Sequence, residues 1–231
     1  MCPSRIISLV PCITYTLNAL KAQDRVVGKT RYCPAGPGTI VGGIHDLDRD
    51  LIKDLQPDLI LVDPEENGPD NIRYLDKFFP LRSVSVTSVE ESLSFYHETA
   101  TMLGSVGTST PAAFPQIDKA RQQSVVTLIW KDPYMAVGRQ TYASSLLARF
   151  GWSTPVTQPG YGELTIPELL ELQPALVLLP DEPYPFTNED AGELQSMLAQ
   201  AGTRVRTIDG RALFWYGAYM LESAGPILSS V

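Results

Sequence analysis

Residues able to do chemistry gather behind short apolar runs. Behind the early runs come Pro11, Cys12, Arg31, Tyr32, Cys33, His45, Asp63, Glu65, Glu66 and Asn67. Behind the later ones come Trp130, Lys131, Asp132, Tyr134, Arg139, Tyr161, Asp181, Glu182, Tyr184, Phe186, Phe214, Trp215 and Tyr216. Cys12, Cys33 and His45 could offer soft sulfur and nitrogen ligands to zinc or another transition metal. No Cys-x-x-Cys or His-x-x-x-His spacing joins them, and lone cysteines more often serve as small buried hydrophobes. The paired carboxylates could hold a hard cation, although such residues more often cap the next helix or face solvent. Two of the three tryptophans and many tyrosines fall in predicted loops. That distribution fits a wide cleft lined with aromatic faces for a large, flat ligand.

Catalytic patterns fit poorly. Gly28-Lys29-Thr30 ends like a phosphate loop, but Gln23 stands where the first glycine must be. Gly36, Gly38, Gly42 and Gly43 open no clear helix, so a dinucleotide fingerprint fails. There is no Gly-x-Ser-x-Gly elbow. Of the two histidines, His97 reads as a surface residue beside Tyr96, and no pattern around His45 supports it as a general base.

The elements that must position these residues come from a phrase used twice. Leu55-Gln56-Pro57-Asp58-Leu59-Ile60-Leu61 returns 117 residues later as Leu172-Gln173-Pro174-Ala175-Leu176-Val177-Leu178. Each copy follows an amphipathic stretch, meets a proline that stops a helix, and becomes an unbroken apolar run. A strand apolar on both faces belongs to a parallel sheet covered by helices. Ligands of such sheets sit beyond the carboxyl ends of the strands. The copies end in Asp63-Pro64-Glu65-Glu66-Asn67 and Pro180-Asp181-Glu182, so two similar halves carry matching strand ends.

Further strands are predicted over Arg5–Val10, Arg25–Gly28, Ser83–Val86, Val125–Trp130 and Arg204–Ile208. Helices are predicted after a Thr14 cap, over Asp70–Phe79, from a Ser88/Glu91 capping box, from Thr141, behind the boxes Thr165/Glu168 and Thr187/Asp190, and from Tyr216 onward. Loops are predicted over Tyr32–Gly43 and from Trp130 to Gln140. Gly104–Gln123, with Pro111 and Pro115, separates the halves. The expected class is α/β, with two Rossmann-like lobes carrying parallel central sheets. They span residues 1–104 and 124–231, are joined by a partly helical linker over 105–123, and have a ligand cleft between them.

At 231 residues, 44% hydrophobic and 19% charged, the chain can bury two cores. A net charge of −8 argues against nucleic acid or an anionic membrane as partner, since both need a basic patch. No apolar run approaches the roughly 20 residues of a membrane span. As written the chain is expected in the cytoplasm, or in the periplasm or lipid-anchored through Cys2 if it is a mature fragment. Three cysteines imply no disulfide framework.

Arg5-Ile6-Ile7-Ser8-Leu9-Val10-Pro11 with Thr14, Val27-Gly28-Lys29-Thr30-Arg31-Tyr32-Cys33, Val41-Gly42-Gly43 and both Leu-Gln-Pro phrases resemble the helical-backbone metal receptors. These are the class III substrate-binding proteins of cobalamin and iron-siderophore ABC importers. Ile129-Trp130-Lys131-Asp132-Pro133-Tyr134-Met135, Leu179-Pro180-Asp181-Glu182-Pro183-Tyr184-Pro185-Phe186 and Trp215-Tyr216-Gly217 resemble a cobalamin-binding subgroup. The resemblance implies two lobes with the ligand between them. Tyr32 matches an aromatic that packs on the corrin in the cobalamin-binding relative. Tyr161 falls near another, Phe214 and Trp215 lie in a contact loop, and Asp63 stands where that relative has a tryptophan. Asp50 and Pro167 replace the two glutamates that dock on the membrane permease.

The expectation is a non-enzymatic binding protein for a metal chelate, cobalamin or another corrinoid, with no built-in cofactor. Its expected ligand residues are Arg31, Tyr32, His45, Glu66, Asn67, Trp130, Lys131, Tyr134, Tyr161, Asp181, Tyr184, Phe214 and Trp215. One alternative is the substrate-binding subunit of an importer for iron-siderophore or haem. Another is a metal-dependent enzyme or metallochaperone using Cys12, Cys33 and His45.

Overall fold

Both copies of the repeated phrase fold alike. Gln56 and Gln173 adopt left-handed backbone, with φ of 46° and 44°, and the prolines after them cannot continue a helix. Each helix therefore stops there, and the chain enters a buried strand. The computed structural model describes residues 2–105, 114 and 123–231. Among these, two compact units form. One holds 2–86, 90–105 and Tyr216–Tyr219; the other holds Thr87–Val89, 114, 123–215 and Met220–Val231.

The first unit runs β1 (Ile6–Ser8), α1 (Pro11–Ala19), β2 (Val26–Lys29), β3 (Thr39–Ile40), α2 (Arg49–Asp54), β4 (Leu59–Val62), α3 (Pro69–Phe78) and β5 (Leu81–Ser83), then most of α4 (Val89–Met102). Its sheet has the order β3-β2-β1-β4-β5, and every pairing is parallel. Ile7, Leu9, Val41, Ile52, Ile60, Val62 and Leu75 form its core. Asp58 ties the start of β4 to β1 by accepting from the backbone of Ser4 and Arg5 at 2.8 and 3.0 Å.

The second unit runs β6 (Gln123–Trp130), β7 (Met135–Val137), α5 (Tyr142–Arg149), β8 (Trp152–Ser153), β9 (Tyr161–Glu163), α6 (Ile166–Leu172), β10 (Leu176–Pro180), α7 (Asn188–Met197), β11 (Arg204–Ile208), α8 (Arg211–Phe214) and α9 (Gly225–Ser229). Its sheet order is β11-β10-β6-β7-β9, with β8 beside β6. β10 is the fully buried strand of the repeat, parallel to both neighbours. The expected capping boxes Thr165/Glu168 and Thr187/Asp190 are formed, and Thr141 caps α5.

Several expectations are corrected. The second sheet is mixed, because Lys131–Tyr134 turns the chain back and β7 lies antiparallel to β6 and β9. Asp132, at φ 60°, supplies the left-handed residue that this reversal needs. Thr14 does not cap α1. The helix starts at Pro11, and the Thr14 hydroxyl sits inside the first turn, 3.0 Å from Val10 O. The strand expected over Ser83–Val86 is Leu81–Ser83, where pairing with Ile60–Val62 fixes it. The linker expected over 105–123 lies almost wholly outside the described residues. No helix among the described residues is long and apolar enough to cross a membrane.

Candidate ligand-binding site

In the first unit, the loop after β2 is folded back by its own lysine. Lys29 is buried, and its Nζ donates to Pro34 O and Gly36 O at 2.6 and 2.9 Å. Two residues on, Arg31 grips Asp46 with two hydrogen bonds of 3.0 and 2.6 Å, and Gly43 N donates to the same carboxylate at 3.0 Å. A Cβ on Gly43 would meet the outer ends of both side chains, which would have to shift to admit it. The Arg31 hydrogen bonds hold the Asp46 carboxyl at about 2, and Asp46 in turn raises the guanidinium. Tyr32 is 56% exposed, with the Arg31 guanidinium 5.9 Å from its ring centre.

Beyond β4, Asp63 organises a turn. Its Oδ1 accepts from Glu65 N at 2.9 Å, its carbonyl accepts from Glu66 N and Asn67 N, and its own N–H donates to Asn67 Oδ1 at 3.0 Å. Asn67 is fully buried and donates to Leu9 O at 3.3 Å, so it braces the turn. Tyr216 closes the cluster by donating its hydroxyl to Asp63 Oδ2. Burial raises the Asp63 carboxyl, and burial with the nearby Glu66 raises the Cys12 thiol.

The structure does not bring Cys12, Cys33 and His45 together. Cys12 is buried, Cys33 lies 3.1 and 3.2 Å from the hydroxyls of Thr14 and Thr30, and His45 is exposed near Gly68. No group of three His, Cys, Asp or Glu among the described residues could hold a metal.

In the second unit, three aromatics stack in a row where β6 and β10 end. The Trp130 and Tyr184 rings stand edge to face at 5.5 Å, and Tyr184 packs on Phe186 at 4.7 Å. Phe186 is buried while Trp130 is 44% exposed, so the row runs from core to surface. Lys131 Nζ meets Asp190 at 2.8 Å and Glu193 at 2.7 Å, which anchors the β6 end to α7. Lys131, followed by the Thr187 donors, holds the Asp190 carboxyl at about 2. Tyr134 packs on the core and burial raises its phenol.

Asp181 accepts from Gly210 N at 2.7 Å, which links the ends of β10 and β11. Beside it Glu182 is raised by burial and lowered by a hydrogen bond with Trp215. Arg211 pairs with Asp209 at 2.8 Å, its guanidinium 5.9 Å from the Trp215 ring centre. Phe214 and Trp215 are half-buried at the end of α8, and Tyr161 opens β9 opposite Val137. The expected ligand residues omit Glu182 and Tyr216, which the sequence places only among the strand-end residues, and Arg211, which it does not single out.

No family model matches the chain, and no curated protein does. Solved structures do. The periplasmic vitamin B12 binding protein of Vibrio cholerae matches with a TM-score of 0.77 and 16% identity, over 99% of this chain and 96% of that one. A periplasmic haem-binding protein of Pseudomonas aeruginosa gives 0.79 and 19%, over 99% and 92%. The siderophore-binding protein of Vibrio cholerae, solved with Fe3+-Desferal, gives 0.72 and 19%, over 98% and 97%. The first two are described as periplasmic, which corrects the expectation of a cytoplasmic protein. The chain thus has the fold shared by binding proteins for vitamin B12, haem and an iron-siderophore complex, the architecture its motifs resemble.

Proposed function

We propose that the chain is a non-enzymatic, periplasmic binding protein for a metal chelate, with a corrinoid such as cobalamin as its ligand, and that it hands this ligand to a membrane permease. The observation that carries this reading is the aromatic row Trp130–Tyr184–Phe186, exposed at its outer end where two parallel strands finish. A flat, apolar macrocycle gains most from such a face. Trp215 and Asp181 of the same unit add aromatic and polar contacts. Asp50 is ion-paired with Lys53 at 2.9 Å and Pro167 carries no charge, so permease docking rests on other contacts.

Titrating cyanocobalamin while following tryptophan fluorescence and the corrin bands tests the reading. A saturable change with Kd on the order of 10 µM or tighter is expected, and none at all would sink it. The likeness to haem- and siderophore-binding structures supports a second reading, in which haem or an iron-siderophore is the ligand.

A further inference from the structure

Trp130 closes β6 at one end, and at the other end Gln123 pairs with Trp152 of β8. Trp152 lines a cavity of about 520 Å³ there, together with Arg139, Gln140, Ser144, Ser145 and Ala148, and every residue lining it belongs to the second unit. Arg139 is the one charged residue among the described residues of that lining. In a chain of net charge −8, a cavity with a guanidinium and no carboxylate differs in sign from the whole. The guanidinium of Arg139 has no ion-pair partner among the described residues, unlike those of Arg31, Arg82 and Arg211. Its backbone is held on both sides, since Arg139 N donates to Gln158 O at 2.9 Å and Gly160 N donates to Arg139 O at 2.8 Å. Gly138 permits this approach, because a Cβ there would strike the Gln158 carbonyl. Ser145 Oγ accepts from Val89 N at 3.1 Å, which leaves its own hydrogen to donate. A guanidinium with free donors takes a carboxylate or phosphate through two parallel N–H bonds. Apolar surface from Trp152 and Ala148 beside a few polar groups is the make-up of a small-molecule pocket, and the volume suits one.

We propose that this cavity is a second ligand site, for a small organic anion whose carboxylate or phosphate pairs with Arg139 and whose apolar part rests against Trp152. Benzoate and phenyl phosphate are the probes, with benzyl alcohol as the uncharged control. Each is titrated into the full chain and followed by amide NMR shifts, which also locate the site. At least one anion should bind with Kd on the order of 1 mM or tighter, shifting residues 139–152, and benzyl alcohol should bind at least about tenfold more weakly. The tighter anion identifies the head group. Arg139→Gln, at an exposed position, should keep the wild-type melting temperature and weaken the anion by about tenfold or more. Ala148→Phe keeps the cation but fills the cavity, and it should weaken binding as much. No saturable binding of either anion, shifts centred elsewhere, benzyl alcohol binding as tightly, or an affinity that either variant leaves unmoved overturns the inference. Its failure leaves the chelate reading intact, because that reading is tested by cyanocobalamin at the opposite end of β6.

Discussion

The phenol of Tyr216 donates to Oδ2 of Asp63 at 2.9 Å, across 153 positions of sequence. Both residues are buried, and Phe95 stands perpendicular to the Tyr216 ring at 5.3 Å. The backbone beyond is tied down too, with Gly217 N on Ser92 Oγ at 2.9 Å and Ala218 N on Thr16 Oγ1 at 3.1 Å. A late stretch of chain therefore completes the first unit. Tyr216→Phe keeps the ring but removes the donor from a buried carboxylate, so urea unfolding should show a loss of about 1–3 kcal/mol. An unchanged midpoint would mean that the hydroxyl contributes nothing.

The same carboxylate predicts a pH dependence. Burial raises Asp63, against the smaller pull of Glu65 N and Tyr216, and it shares its surroundings with Cys12 and Glu66. A carboxyl raised by folding binds its proton more tightly in the native state. Its contribution is complete below the ordinary value near 4 and is lost as pH rises through the folded value. Asp63→Asn removes this titration. Stability of the wild type minus that of the variant should be largest in acid and shrink toward neutrality, a trend that denaturant titrations at several pH values would reveal.

Asp190 behaves in the opposite sense. Lys131 and Thr187 hold it at about 2, so its contribution is present above the ordinary carboxylate value and is lost as pH falls toward 2. Lys131→Met should therefore melt earlier than the wild type at neutral pH, and the two melting curves should converge on acidification. A gap that persists at pH 2 would assign the effect to lost packing of the lysine stem instead.

The scaffold was legible where the signal is local. Pro57, Pro174 and the apolar runs behind them announce helix stop and buried strand, and the Thr-x-x-Glu and Thr-x-x-Asp boxes announce α6 and α7. The site was less legible because its chemistry is settled by distant partners. Lys131 looks available in sequence, yet Asp190 and Glu193 take it up from 59 and 62 residues away. β7 escaped notice because three residues, Met135–Val137, are too few for a period to show.

The aromatic row makes the two roles of its members separable. Trp130 is largely outside the core, so Trp130→Ala should change stability by less than about 1 kcal/mol. If a corrinoid stacks there, the same change should weaken its binding by about 1–3 kcal/mol, the range of a lost aromatic anchor. Phe186 is 5% exposed at the inner end, and Phe186→Ala should cost about 3–5 kcal/mol in stability. Thermal melts and cyanocobalamin titrations on both variants check this; equal stability losses would mean that the row is all core.

The two left-handed glutamines give the last prediction. Gln56 and Gln173 are both exposed, and each holds a φ that puts an L side chain at a cost of about 1–2 kcal/mol. Glycine relieves that cost but adds freedom to the unfolded chain, which takes back about 0.5–1 kcal/mol. Gln56→Gly and Gln173→Gly should therefore each stabilise by about 0.5–1 kcal/mol. The sites are far apart in sequence and share no partner, so the double variant should show the sum. Gln56 carries a second constraint, because Arg5 donates to its carbonyl at 3.2 Å and to that of Leu55 at 2.5 Å. These are backbone contacts that glycine retains, so the gain at Gln56 should match the gain at Gln173. A loss at either site in urea unfolding would mean that the glutamine side chain, and not the proline after it, ends the helix.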